Sequence, residues 1–225
     1  MHVWEGPDVG VDVVGVVVAA GGSLDPQGPV AEAMATLWWV MLGLGAAVFA
    51  LFAVLLAVGL RRRADGSEGE QRPNHKWWLV GGGVVLPFAV ITVVFAATLV
   101  AMRATPTRPP PDALVVDIVG HQFFYEVSYP EEGIEGRDEL HIPVGRPVAL
   151  RLTSTDVIHS FWVPELGGKM DMLPDGVNTL VLQADVPGEH QARCAEFCGL
   201  GHAHMELRVV AEPAEQFASW VAAQR

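Results

Sequence analysis

The twelve residues from 194 to 205, CAEFCGLGHAHM, hold both cysteines of the chain together with a glutamate, two histidines and a methionine. In an exported domain, an even number of cysteines is typical of a disulfide. A disulfide has no need of imidazole and thioether groups, however, and His202 and Met205 follow Cys198 by four and seven residues. A metal site is therefore a second interpretation of the same residues.

The donor types indicate which metal such a site would take. Zinc accepts thiolate and imidazole, but thioether is a poor ligand for it, whereas the three together suit copper. The segment supplies one well-spaced imidazole, so another must come from elsewhere. The stretch DVIHSFWVPELGGKMD, residues 156–171, offers His159 at the end of a strand-like run. Loops at one end of a β-sandwich would hold copper in a fixed geometry, which favours electron transfer.

Two uncharged segments, residues 36–60 and 77–102, lie before this part of the chain. Each exceeds the ~20 residues that span a bilayer as a helix, and neither has a polar face. Short loops rich in basic residues stay on the cytoplasmic side. The loop between the segments carries Arg61, Arg62, Arg63, Arg72 and Lys76. We therefore predict a transmembrane helical hairpin over residues 31–104, with both chain ends outside.

The first 30 residues allow two interpretations. Residues 13–23, VVGVVVAAGGS, resemble the apolar region of a signal peptide. Residues 1–12, however, contain three acidic residues and no Lys or Arg, whereas a signal peptide begins with basic residues. Residues 1–30 are thus either a signal segment or an outside tail.

A Pro-rich spacer, residues 105–112, separates the hairpin from short runs rich in β-branched and aromatic residues. Such runs, divided by Gly, Pro, Asn and Asp, predict a small antiparallel sandwich or barrel over residues 113–225. The predicted strands are 113–119, 123–129, 146–155, 178–185, 190–194 and 204–211. The stretch from Pro213 predicts a helix, and the acidic stretch 131–140 predicts a loop.

Most of the negative charge lies in this exported part. From residue 107 onward there are 18 acidic and 8 basic residues, which accounts for −10 of the chain's net charge of −12. A field of one sign steers a partner of the opposite sign and excludes nucleic acid as a partner. Solubility is the alternative explanation of the same charge.

Three motifs together resemble those of subunit II of the haem–copper cytochrome c oxidases. They are VIHSFWVP (157–164), GGKMD (167–171) and C-x-E-x-C-G-x-x-H-x-x-M (194–205). The resemblance extends over nearly the whole chain. It implies a two-helix transmembrane hairpin followed by an all-β cupredoxin-like Greek-key sandwich. It also implies a bacterial cell-membrane protein whose C-terminal domain lies on the periplasmic side.

The same resemblance implies a dinuclear copper centre, CuA. Two bridging thiolates, two imidazoles, a thioether and a backbone carbonyl would bind the ions, from Cys194, Cys198, His159, His202, Met205 and Glu196. The Glu196 side chain would also reach a magnesium site at the boundary with subunit I. The family usually has a Trp-rich run after GHQ, where electrons arrive. Here Phe123, Phe124 and Tyr125 take that place.

The function implied by the resemblance is electron transfer in an aa3-type terminal oxidase. The chain would take electrons from cytochrome c and pass them to haem in subunit I, where oxygen is reduced, with subunit III as a further partner. A membrane-tethered copper-binding or copper-delivery protein is the alternative. Subunit II of a quinol oxidase keeps the fold but loses copper, and the presence of both cysteines and both histidines opposes that assignment.

Overall fold

The computed structural model describes residues 22–64 and 75–225, so most of the predicted N-terminal segment lies outside the described residues. Its helical part begins with α1, Pro29–Ala64. The second long helix consists of α2 (His75–Val80), a π-helical turn (Gly81–Val85), α3 (Leu86–Ala101) and a 3₁₀ turn (Met102–Ala104). Both long helices have the length and composition of membrane spans, with a mean hydropathy of 2.6 in each.

Helix α1 begins seven residues before the predicted start at residue 36. Pro29 suits a first helical turn because its missing N–H has no partner there in any case, and Glu32 complements the positive end of the helix dipole. At ~1.5 Å per residue, α1 is longer than a ~30 Å hydrocarbon core requires. Its first turns are accordingly buried against protein, through Val30, Ala31 and Ala35.

Backbone hydrogen bonds join the segment before α1 to the β domain. The Gln27 N–H donates to the Glu165 carbonyl at 2.8 Å, and the Gln27 carbonyl accepts from the Asp185 N–H at 2.8 Å. A Cβ at Gly28 would lie 2.2 Å from the Gln183 carbonyl oxygen, so only glycine fits at this contact. On the other side, Gly167 of the GGKMD motif lies against Val30, where a Cβ would meet Val30 at 3.5 Å.

The π-helical turn in the second long helix has a local cause. The Leu86 N–H donates to the Gly81 carbonyl, five residues earlier, and Pro87 has no N–H to continue the normal ladder. An extra residue in the turn accommodates the proline, and the Gly81–Val85 segment can widen because its glycines carry no side chains.

The β domain consists of two five-stranded sheets within the described residues. The first has the order β3-β2-β1-β5-β8 and the second the order β4-β10-β9-β6-β7. The strands are β1 Leu114–His121, β2 Phe124–Tyr129, β3 Ile134–Arg137, β4 Glu139–Pro143, β5 Val148–Ser154, β6 His159–Trp162, β7 Met170–Met172, β8 Asn178–Leu182, β9 Gly188–Cys194 and β10 Glu206–Glu212. Helix α4, Ala214–Ala223, follows β10.

The predicted sandwich is confirmed, but the pairing of its strands and the acidic stretch differ from the prediction. The sheets are not purely antiparallel, because β1 pairs parallel with β5, and β4 pairs parallel with β10. A strand that returns to its sheet after the chain has crossed to the other sheet is free to run parallel to its neighbour. The acidic stretch 131–140 is not a loop, because it contains β3 and the start of β4, with Ile134 and Leu140 buried.

The core lies between the two sheets. Strand β1 alternates buried and half-buried positions along its whole length, as expected for a strand with one face on a core. Large side chains from both sheets are fully enclosed, among them Ile118, Tyr125, Leu150 and Phe161. This packed interior supports the end of the sandwich where the chemically interesting residues meet.

Candidate metal centre

Strand pairing brings His159 and Cys194 together although 35 residues separate them. His159 begins β6 rather than ending a strand as predicted, and Cys194 ends β9. These strands pair antiparallel, with Phe161 opposite Cys194. The loop from 195 to 205 then folds back, because the Ala195 N–H donates to the Ser160 carbonyl and the Cys194 N–H donates to the Met205 carbonyl. One end of the second sheet therefore carries all the predicted ligands.

The sulfur atoms form the centre of this cluster. Cys194 Sγ and Cys198 Sγ lie 3.8 Å apart, and both thiols are free. A disulfide needs about 2.05 Å, so the structure favours the metal-site interpretation over the disulfide. Met205 Sδ lies 3.8 Å from Cys198 Sγ, and the Glu196 carbonyl oxygen lies 3.2 Å from Cys194 Sγ.

The two imidazoles lie next to different sulfurs. His159 Nδ1 lies 3.9 Å from Cys194 Sγ, and His202 Nδ1 lies 3.7 Å from Cys198 Sγ. The ligand atoms of His159, Cys194 and Cys198 all fall within 4.8 Å of one another. His159 is fully buried, whereas His202 is half-exposed. The cluster thus has one enclosed imidazole and one that reaches the surface.

The environment of Cys198 disfavours a thiolate without a cation beside it. Burial, and after it the neighbouring Cys194, together raise the pKa of Cys198 to about 11. Two thiolates this close repel each other in a buried site unless a positive charge lies between them. Metal binding supplies that charge and displaces the thiol protons.

Asp156 sets which nitrogen of His159 faces the sulfurs. Asp156 Oδ1 lies 2.8 Å from His159 Nε2. Burial acts to raise the pKa of Asp156, but hydrogen bonds from His159 and from the Val157 and Gln122 N–H groups outweigh it and lower the pKa to about 2. The ionised carboxylate can only accept, so Nε2 carries the proton and Nδ1 is left as a metal ligand.

Glycines allow two rings to lie directly on the backbone around the cluster. A Cβ at Gly120 would lie 2.9 Å from the His159 ring. A Cβ at Gly201 would lie 2.5 Å from the Phe123 ring, and one at Gly199, whose φ is +134°, would lie 3.1 Å from it. Phe123 therefore covers the loop between Cys198 and His202, and any larger residue in place of Gly201 would displace it.

The three aromatic residues after GHQ have different surroundings. Phe123 is 37% exposed and packs on the cysteine loop. Phe124 is half-buried between the His121 ring, stacked at 4.5 Å, and the Arg137 guanidinium, 3.7 Å from its centroid. Tyr125 is fully buried. Only Phe123 of these three combines surface exposure with contact to the cysteine loop.

Four exposed apolar residues on the two segments that carry the predicted ligands form what we call the apolar rim. In the cysteine loop, Phe197 is largely exposed and Leu200 is fully exposed. The Phe197 ring packs edge-to-face on the His202 ring, with 5.7 Å between their centroids. Val157 and Ile158, just before His159, are also exposed. Exposed apolar residues grouped in this way mark an interaction surface.

The Glu196 side chain belongs to an exposed ionic group. Lys169 Nζ lies 3.6 Å from the Glu196 carboxylate and 3.7 Å from that of Asp171. The lysine already neutralises part of the charge that a magnesium ion would use. His204, the other histidine of the segment, is exposed and belongs to no group of ligands within the described residues.

Sequence reasoning missed several residues that shape the site. Asp156 precedes His159 by three residues, and that spacing was a usable signal for a carboxylate partner. Gln122, whose Nε2 donates to the Cys198 carbonyl, and Gly120 belong to the GHQ motif. Their contacts to the cysteine loop and to His159 depend on the pairing of distant strands, so no local signal identified them.

The fold and the cluster define a class: a cupredoxin-like β-sandwich with a sulfur- and imidazole-rich site at one end, joined to a helical hairpin. Residues 131–212 match the family model for the periplasmic domain of cytochrome c oxidase subunit II. The chain belongs to the cytochrome c oxidase subunit II family. It is a membrane protein with a periplasmic C-terminal domain, as predicted.

Individual relatives agree with this assignment. The chain is 32% identical over 208 residues to cytochrome c oxidase subunit 2 of Alkalihalophilus pseudofirmus, covering 88% of this chain and 60% of the relative. It is 35% identical over 211 residues to quinol oxidase subunit 2 of Bacillus cereus, covering 88% and 71%. The crystal structure of the periplasmic domain of cytochrome oxidase subunit II from Bradyrhizobium japonicum matches with 27% identity and a TM-score of 0.50, covering 52% of this chain and 96% of that one.

Proposed function

We propose that this chain is the subunit that delivers electrons to an aa3-type terminal oxidase. It accepts them from cytochrome c at a dinuclear copper centre and passes them to haem in subunit I, within a complex that also contains subunit III. One observation carries the proposal: two free thiols, two imidazoles, a thioether and a carbonyl meet at one end of the sandwich. The ligands proposed are His159, Cys194, Glu196 (through its carbonyl), Cys198, His202 and Met205.

The spacing of the sulfurs is compatible with two ions. The 3.8 Å between Cys194 Sγ and Cys198 Sγ is less than twice a metal–thiolate bond of about 2.3 Å, the zinc value. Cys194 and Cys198 would therefore both be able to bind the same ion, and the copper would supply one-electron redox chemistry there. His159 and His202 lie next to different sulfurs, so each of two ions would have its own imidazole.

The protein's part in electron transfer is to keep these ligands in place. Asp156 holds the His159 ring in one tautomer, and the Gln122 amide and the Phe123 ring hold the cysteine loop. The thiols and Met205 are buried, which excludes water. Ligands that cannot move keep the rearrangement on reduction small.

The donor surface has two components in this proposal. The domain's charge of −10 attracts a basic protein such as cytochrome c over a distance. The apolar rim of Val157, Ile158, Phe197 and Leu200 then makes the short-range contact, with Phe123 as the aromatic residue through which electrons reach the cluster. Magnesium at the Glu196 carboxylate remains part of the proposal, with the other ligands expected from subunit I.

The relatives include quinol oxidase subunits. The metal-ligand residues of this chain distinguish a cytochrome c oxidase from a quinol oxidase. A subunit that serves a quinol oxidase needs no copper, so nothing would maintain two buried thiols beside two imidazoles. A copper-delivery protein needs ligands that exchange readily, whereas His159 and Met205 are enclosed. Both alternatives are therefore weaker than a cytochrome c oxidase.

The experiment is metal analysis of the full chain in detergent, loaded with copper, with electron paramagnetic resonance. We expect about two copper ions per chain and one unpaired electron shared by two copper nuclei. A spectrum typical of a single copper would contradict the dinuclear centre. Absence of copper binding, with both thiols titrating as free, would contradict the proposed function as a whole.

A further inference from the structure

The hydroxyl of Tyr125 is a buried polar group that the site described above leaves unexplained. Tyr125 lies on β2 and is fully enclosed. Its hydroxyl has no hydrogen-bond partner among the residues that the structure describes. A buried hydroxyl without a partner destabilises a folded protein, so such a group calls for a functional explanation.

Packing between the sheets places this hydroxyl beside the thiols. The Tyr125 ring meets the Phe161 ring edge-to-face, with 5.7 Å between centroids. Phe161 pairs with Cys194 in the β6–β9 register, so both side chains point from the second sheet toward Tyr125. Burial raises the pKa of Tyr125, and the charge of Cys194, its proximity to the hydroxyl and the charge of Cys198 raise it further; the hydroxyl thus lies close to the Cys194 sulfur without forming a hydrogen bond of normal geometry.

A second buried tyrosine on the same strand, Tyr129, has hydrogen-bond partners for its hydroxyl. Tyr129 is four residues further along β2, on the same face, and is also buried. Its hydroxyl donates to the His141 carbonyl at 2.9 Å and accepts from the His141 N–H at 2.7 Å. Tyr129 thus has a structural role at a distance from the thiols, whereas Tyr125 has an unused donor next to them.

We infer that Tyr125 is a positioning residue that donates a hydrogen bond to the Cys194 sulfur when that sulfur is a metal-bound thiolate. A thiol sulfur is a weak acceptor and a thiolate is a much stronger one. The hydroxyl that is unpartnered beside the thiol therefore gains its partner when the site is loaded. The inference rests on the proposed copper centre.

The hydrogen bond has an effect on the redox chemistry of the site. A donor to the thiolate withdraws electron density from the sulfur–metal bond and stabilises the reduced form. Tyr125 consequently raises the reduction potential. It also strengthens copper binding, since loading satisfies a buried polar group.

The test compares Tyr125→Phe with the matched control Tyr129→Phe in the full chain, in detergent and loaded with copper. Y125F should lower the reduction potential and move the thiolate-to-copper absorption to longer wavelength, while Y129F should change neither. In the copper-free chain, Y125F should leave Tm unchanged or higher, whereas Y129F should lower it. Equal potentials and spectra for the two variants would overturn the inference, as would a copper-free Tm loss for Y125F as large as for Y129F.

A second measurement works even where Y125F does not fold. The chain has two tyrosines, so 3-fluorotyrosine incorporated into the Y129F chain modifies position 125 alone. The fluorinated phenol is a stronger donor, and the reduction potential should rise, opposite to the effect of Y125F. An unchanged potential in a chain that binds two coppers would overturn the role of Tyr125 alone, whereas a wild-type chain that binds no copper would overturn the proposed function with it.

Discussion

Asp156 accepts a hydrogen bond from His159, with 2.8 Å between Oδ1 and Nε2, and this contact turns the other ring nitrogen toward Cys194. The carboxylate in turn is held by the Val157 and Gln122 N–H groups. A single acidic side chain therefore connects the β1–β2 turn, the start of β6 and the cysteine cluster. Its ionisation, maintained by these donors, keeps the imidazole in the tautomer that can bind a metal.

Replacing Asp156 by Asn should weaken copper binding about 10- to 100-fold, the usual cost of losing a carboxylate partner of a ligand histidine. Chelator competition on the full chain measures this change. Asp171→Asn is the matched control, because Asp171 is exposed and contacts Lys169 rather than a ligand. Equal copper affinity in the two variants would show that Asp156 does not orient His159.

Replacing Gly201 by Ala should displace Phe123 from the cysteine loop, because the new Cβ would lie 2.5 Å from the Phe123 ring. We expect a loss of about 1–3 kcal/mol in the free energy of unfolding, as for overpacking elsewhere. Chemical denaturation measures it, with Gly136→Ala, in open space on β3, as the control. Adding Phe123→Ala to Gly201→Ala should relieve part of the loss, and additive losses would refute the contact.

Replacing Cys198 by Ser should abolish the shared-electron resonance signal and reduce copper binding from about two ions to at most one. The thiolate is the softer ligand, and its loss removes one of the two bridging sulfurs. Circular dichroism should remain unchanged, since the large core side chains lie between the sheets. Met205→Leu is the comparison: it should keep two coppers with an altered spectrum. A full dinuclear signal from the serine variant would exclude thiolate bridging.

Replacing Gly28 by Ala should detach the start of α1 from the β domain, because the Cβ would lie 2.2 Å from the Gln183 carbonyl oxygen. Limited proteolysis should then cleave the chain near residues 24–30 faster, while the copper spectrum stays the same. Gly22→Ala, with open space around its Cβ, should behave as wild type. Unchanged cleavage of the Gly28 variant would mean that the contact does not hold the helix.

Oxidation of cytochrome c by the assembled oxidase should slow by about tenfold as salt is raised from low to several hundred millimolar. The acidic domain attracts the donor through a field that salt screens within about 10 Å at 0.1 M. Steady-state rates at constant cytochrome c concentration measure the effect. A rate independent of salt would assign docking to the apolar rim alone.

The membrane hairpin and the set of donor residues were predictable because each depends on a continuous stretch of chain. An uncharged run longer than 20 residues has few alternatives to a membrane helix. The spacing of Cys194, Cys198, His202 and Met205 brings four donors into one loop whatever the fold around it. Pro29 and Glu32 are typical of a helix N-terminus and indicated the early start of α1 as well. The start was instead predicted at residue 36 because the uncharged run begins there.

The acidic stretch 131–140 was predicted wrongly for a physical reason. Of its five acidic residues, only Glu135 and Glu139 lie on β3 and β4, and the other three lie in the turns beside β3. Ile134 and Leu140 are the only buried residues of the stretch. In a short edge strand with charged residues, few apolar residues remain, so the alternation of apolar and polar residues that indicates a strand is not visible in the sequence.

By itself, the sequence determined that the protein has two apolar spans, an acidic exported β domain and a loop rich in soft donor atoms, since composition and short spacings carry that information. The tertiary structure alone decided that His159 meets Cys194, that Asp156 selects the ligand nitrogen, that Phe123 covers Gly201 and that the Tyr125 hydroxyl lies beside the thiols. These contacts join residues on different strands. Their distances depend on which strands pair and in what register, which no local pattern specifies.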